Sequence, residues 1–144
     1  MSAYEIEHGG DVVTVRTDDV KEGWEQWFLL TSDVHWDNPH CDRNLYKRHL
    51  DQAMERDADI CAVGHVYESW LLELPRQRLT TNGELFFDSQ WHIQLPTYKQ
   101  EFDLAGGWHV ERGAPPKPLG GWWLRWHWDA TARDKVGMEV IRAT

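Results

Sequence analysis

The sequence predicts an α+β chain, a βαβ unit followed by antiparallel strands, and three observations predict it. Trp27 to Thr31 (WFLLT) is a continuous apolar run bounded by polar residues, as in a strand buried on both faces. A stretch at helical spacing and a second short apolar run, Ala58 to Val63 (ADICAV), follow it. Beyond them Asn82-Gly83 is a strong hairpin signal, and the rest of the chain is spaced like strands.

Taken in order, residues 4–17 are expected to form a hairpin around Gly9-Gly10, because paired glycines tolerate the positive φ of a tight turn. WFLLT then runs to Asp33. From Asp42 to Asp57 the positions Leu45, Tyr46, Leu50, Ala53 and Met54 share one helical face, with Asp42 placed to cap the N-terminus. ADICAV stops at Gly64-His65. Strand, helix and strand in this order imply a right-handed crossover between parallel strands, whose ends then lie on one edge. Ligands bind at that edge in open α/β sheets, so Asp33, His35 and His65 are expected to converge there.

Downstream, RQRLT and ELFF flank Asn82-Gly83, and WHIQL, GWHVER, WWLRWHW and VGMEVIR follow. In residues 122–128 alternation puts Trp122, Leu124, Trp126 and Trp128 on one face and Trp123, Arg125 and His127 on the other. GAPPKPLGG is a stiff, polyproline-like connection rather than a domain linker. At 144 residues the expectation is a single domain.

Composition limits the partners. With 24 acids against 15 Lys plus Arg the formal charge is -9, which disfavours direct nucleic-acid binding and attraction to an anionic membrane. A phosphate-bearing ligand therefore needs help from a cation. The start MSAYEIEHGGDVV has no signal-like pattern and no stretch has the length of a membrane span, so the expected location is the cytoplasm. Cys41 and Cys61 lack redox or zinc-ribbon spacing and are read as free thiols. No P-loop, dinucleotide, serine-hydrolase or zincin motif is present.

A buried strand is a rigid mount, and side chains just past its end can share a cleft with fixed geometry. Asp-x-His at such a place suggests a divalent metal of the zinc, manganese or iron type, since imidazole suits those ions and magnesium or calcium prefer oxygen alone. SDVHWDNPHCDR (32–43), followed by a helix and an apolar strand, resembles the first motif of calcineurin-like metallophosphoesterases of the phage and bacterial type. GHVYESW resembles their closing Gly-His-x-His motif, and NGELFFDSQWHIQLPTYK with GGWHVERGAPPKPLGGWWLRW resembles their C-terminal strands. The resemblance covers most of residues 24–130 and implies a β-sandwich of that family in reduced form. It also implies hydrolysis of a phosphate mono- or diester, with a phosphorylated small molecule or nucleotide as substrate.

By that resemblance Asp33 and His35 ligate a first metal, and His65 matches the first His of the closing motif. The departures are equally specific. The family's metal-bridging Gly-Asp motif and its Gly-Asn-His motif are missing, and Tyr67 stands where the second closing His belongs. The chain looks like the two ends of such an enzyme joined with the middle removed, the junction lying near residues 59–64. One ion held by Asp33, His35 and His65 is therefore expected, and no catalytic residue is assigned. Asp37, His40 and Tyr67 are accessory candidates, set against ordinary turn chemistry for Asp37 and a half-buried strand aromatic for Tyr67.

His92, His109 and His127 each follow a Trp, and polar-out strand positions account for them without a metal. The ten Trp are expected in core and interface, which points to a homodimer. Two other classes stay open: a catalytically inactive derivative that binds a partner protein or phosphorylated ligand, and a Trp-rich structural assembly.

Overall fold

The computed structural model describes residues 4–9, 12–17, 20–32, 34–63, 84–87, 90–93, 95–100, 119–133 and 135–144. Its elements in chain order are β1 (Tyr4–Gly9), β2 (Val12–Thr17), β3 (Glu25–Ser32), α1 (Arg43–Glu55), β4 (Asp59–Val63), β5 (Glu84–Phe87), β6 (Gln90–Ile93), β7 (Trp122–Trp128) and β8 (Val136–Arg142). Four strands form a mixed sheet in the order β4-β3-β7-β8, and β1-β2 and β5-β6 are antiparallel pairs. The class is α+β, with the expected βαβ unit followed by antiparallel strands.

The central strand is the predicted apolar run. β3 pairs in parallel with β4, from Phe28 opposite Asp59 to Ser32 opposite Val63. On its other side it pairs antiparallel with β7, from Glu25 opposite His127 to Leu30 opposite Trp122. With neighbours on both sides, its backbone polar groups are consumed by the ladder and its side chains enter both faces. Phe28, Leu29, Thr31 and Ser32 are accordingly buried.

Helix α1 crosses one face of this sheet. Its Ala53 packs with Leu29, Trp123 and the C-terminal Ala143, and Trp27, Leu50 and Ala58 surround that cluster. Trp27 and Trp123 meet edge to face at 6.2 Å. On the opposite face Trp126 meets Phe28 at 5.4 Å, so β7 sends its two sets of side chains to opposite sides as alternation predicts.

The helix N-terminus follows its sequence signal, and the structure adds the C-terminal one. The Asp42 carboxylate accepts the Leu45 N–H at 2.9 Å, satisfying one of the free donors of the first turn. At the other end the Ala58 N–H donates to the Ala53 carbonyl and the Asp57 N–H to the Met54 carbonyl. That pattern is a Schellman motif, which needs a left-handed residue, and Asp57 supplies it with φ 51. Three residues then suffice to turn from α1 into β4.

Two expectations need correction, and a third, the Asn82-Gly83 hairpin, lies outside the described residues. Met54 is 79% exposed and does not belong to the apolar face; His49 takes that role with Ala53, one turn away from the predicted position. The described partner of ELFF is QWHI, joined antiparallel across Asp88-Ser89, while RQRLT lies outside the described residues. In the first hairpin Gly9 pairs with Val12, so Gly10-Asp11 is the connection rather than Gly9-Gly10. GWHVER, most of GAPPKPLGG and His109 lie outside the described residues, as does the side chain of His92. His127 is half-buried against Gly137, where an added Cβ would lie 2.6 Å from its ring. Both cysteines are free thiols. Among the described residues no helix is long and apolar enough to cross a membrane.

Candidate functional site

The pairing of Ser32 with Val63 sets the last residues of two parallel strands side by side. Asp33 is the next residue after one end, and Gly64-His65 follow the other. Asp33, His65 and Tyr67 themselves lie outside the described residues, whereas His35, Asp37 and His40 lie within them. No group of three potential metal ligands occurs among the described residues.

After β3 the chain turns sharply. His35 adopts φ 48, a left-handed conformation that glycine takes freely and an imidazole-bearing residue takes only at a cost. The Asn38 N–H donates to the His35 carbonyl at 2.8 Å, and the Cys41 N–H to the Asn38 carbonyl at 3.0 Å. His35 is half-buried, while Asp37 and His40 are exposed. The His40 N–H is bound by the Asn38 side-chain oxygen at 2.9 Å, the ordinary turn chemistry of an Asn. A sparsely populated backbone conformation held by a bonded loop is the kind of strain that gathers at functional sites.

A second segment clamps this loop. Residues 95–100 accept the Ser32 hydroxyl on the Pro96 carbonyl at 2.9 Å and the Asp42 N–H on the Tyr98 carbonyl at 2.7 Å. The Gln100 N–H in turn reaches the His40 carbonyl. Cys41 lies opposite Lys99 in an isolated bridge, and its thiol donates to the Val34 carbonyl at 3.0 Å. Burial pushes the Cys41 and Cys61 thiols up, so both are protonated at neutral pH and neither is a ready thiolate ligand.

Behind the loop sits a buried polar pair that sequence reasoning missed. His49 and Tyr98 are fully buried, and the imidazole Nδ1 and the phenol oxygen share a hydrogen bond of 2.8 Å. Burial holds the imidazole below its ordinary pKa and pushes the phenol up, so both are neutral at pH 7. Among the described residues the Thr31 hydroxyl has no hydrogen-bond partner, and a backbone hydrogen bond with Thr144 works against the effect of burial on His49. The pair explains the Gly-Gly before β7: a Cβ on Gly121 would fall 2.8 Å from the Leu30 carbonyl and 2.9 Å from the Tyr98 hydroxyl, and Gly120 has φ 117. The available signal was a His on the apolar stripe of α1, four residues after Leu45 and four before Ala53.

Comparison with known proteins does not add a relative to this geometry. No family model, curated protein or solved structure matches the chain.

Proposed function

We propose that the chain is a metal-dependent phosphoesterase of the calcineurin-like type, acting in the cytoplasm on a phosphate mono- or diester. Asp33, His35 and His65 would hold one divalent ion of the manganese, zinc or iron class. The observation that carries this reading is the register of β3 and β4: Ser32 opposite Val63 starts both ligand-bearing segments from adjacent strand ends. One carboxylate with two imidazoles suits such an ion, and a half-buried His35 at φ 48 fits a residue kept for its side chain.

When bound, the ion supplies positive charge and Lewis acidity at the phosphate, which a chain of net charge -9 otherwise lacks. The chain's own part is positioning. The Asn38, Arg43 and Tyr98 contacts fix the loop that carries His35, and the buried ladder of β3 fixes its origin. The missing Gly-Asp and Gly-Asn-His motifs favour a second reading, a derivative that binds a phosphorylated ligand or partner without turnover. Exposed Ile60 on β4 and Met138 and Ile141 on β8 support self-association as a homodimer.

The test is metal content by mass spectrometry on protein purified without chelator, beside Asp33→Ala, with hydrolysis of a chromogenic phosphodiester in manganese. About one ion per chain, lost in the variant and accompanied by hydrolysis that chelator abolishes, is expected. Metal without hydrolysis selects the binding derivative; no metal above the variant's background overturns the site.

A further inference from the structure

Next to His35, the loop presents a large aromatic ring to solvent. Trp36 is 46% exposed. Its carbonyl accepts the Arg43 Nε at 2.9 Å, and the Asn38 carbonyl accepts Arg43 Nη2 at 3.2 Å, so the guanidinium is held in place by the loop it serves. The Tyr46 ring meets the indole edge to face at 6.2 Å. Over the indole lie two cations, the Arg43 guanidinium at 5.8 Å and the Lys47 ammonium at 5.7 Å from its centroid.

This arrangement adds little to folding. Solvated cations over an exposed ring interact weakly with it, and a smaller apolar side chain would cover Tyr46 as well. Lys47 is exposed and makes no ion pair among the described residues, in a chain with an excess of acids. Of the acids close in sequence, Asp42 caps the helix and Asp37 is exposed. A half-exposed indole with two positive charges over its ring is complementary to a flat heterocycle that carries a phosphate.

We propose that Trp36, Arg43 and Lys47 form a recognition platform for a mononucleotide, the base stacking on the indole and the phosphate facing the two cations. The proposal names a substrate class for the phosphoesterase reading and rests on it only for the platform's place beside His35. A polynucleotide is the poorer occupant, because each further phosphate meets a chain of net charge -9. A single nucleotide brings its charge to an exposed aromatic ring that two cations flank.

The experiment follows the Trp36 indole N–H resonance of isotope-labelled protein, identified with Trp36→Phe. Adenosine monophosphate, adenosine, ribose phosphate and phenyl phosphate are titrated in the presence of chelator. A saturable shift in the millimolar range is expected, with adenosine monophosphate binding about tenfold tighter than ribose phosphate. The exposed substitution Lys47→Gln should weaken adenosine monophosphate severalfold and leave adenosine unchanged. Equal binding of ribose phosphate or phenyl phosphate, or shifts that bypass the Trp36 resonance, would overturn the platform. Because chelator is present throughout, that failure is distinct from a failure of the metal site, which the metal analysis and manganese assay report separately.

Discussion

The imidazole of His49 and the phenol of Tyr98, both fully buried, are joined by a 2.8 Å hydrogen bond that links the middle of α1 to the segment that clamps the loop after β3. Tyr98→Phe deletes that bond while keeping the ring, and leaves the buried imidazole Nδ1 without its phenol partner. A loss of about 1–3 kcal/mol in unfolding free energy is expected, since a buried polar group left unsatisfied carries its full desolvation penalty. Denaturant unfolding of the two proteins at pH 7.5 measures it, and a change under about 0.3 kcal/mol would contradict the assignment.

The same pair sets a pH dependence. Burial lowers the His49 pKa in the folded state, so the unfolded chain, with its ordinary value of about 6.5, takes up a proton first as the pH falls. His49 therefore contributes full stability above about pH 6.5 and loses it progressively below that value, down to its depressed folded pKa. Stability measured from pH 7.5 to 5 should fall less steeply in His49→Gln than in the native chain. Equal slopes would show that His49 titrates normally and is not buried in solution.

Asp57 pays a backbone cost for closing α1. At φ 51 an L-residue is strained, whereas glycine at the same place in a Schellman motif is not. Asp57→Gly is expected to stabilise the chain by about 0.5–1 kcal/mol, after the greater freedom of glycine in the unfolded state is deducted. A melting temperature that drops on this substitution would refute the motif.

Arg125 bridges three strands at the surface. Its guanidinium bonds Glu25 on β3 at 2.9 Å and Glu139 on β8 at 2.9 Å. A hydrogen bond from Trp27 and then the Arg125 guanidinium hold the Glu25 carboxyl below its usual range. All three groups are partly solvated, so a double-mutant cycle on Glu25 and Arg125 should return a coupling below about 1 kcal/mol that shrinks in high salt. A salt-insensitive coupling of several kcal/mol would mean that the network is shut off from water.

Much of the fold was legible because its signals are local. WFLLT and ADICAV are short apolar runs, and Asp42 is helix-end chemistry within one turn of what it caps. What escaped was set by partners far along the chain. His49 looked like a polar interruption in an apolar stripe until Tyr98, forty-nine residues later, supplied its hydrogen bond. Met54 fits the stripe by spacing, yet it stands exposed while its neighbour Ala53 is the one that packs against Leu29 and Trp123. Of the candidate site, the common rim followed from the crossover rule and the register of β3 with β4. Asp33 and His65 lie just beyond the two strand ends and outside the described residues, where no local periodicity dictates the position of a side chain.

The placement of β3 bears on how the polypeptide is made. It finds one neighbour soon after emerging, since α1 and β4 follow directly, but its antiparallel neighbour β7 comes roughly ninety residues after Ser32. At typical elongation rates of about 5–20 residues per second, a growing chain holds the completed parallel pair, with the β7 side of β3 still bare, for on the order of 3–13 s. During that interval Trp27, Phe28 and Leu29 lack the Trp-rich strand that later shields them, which makes the ribosome-bound intermediate the stage at which this sequence is most exposed to misassembly.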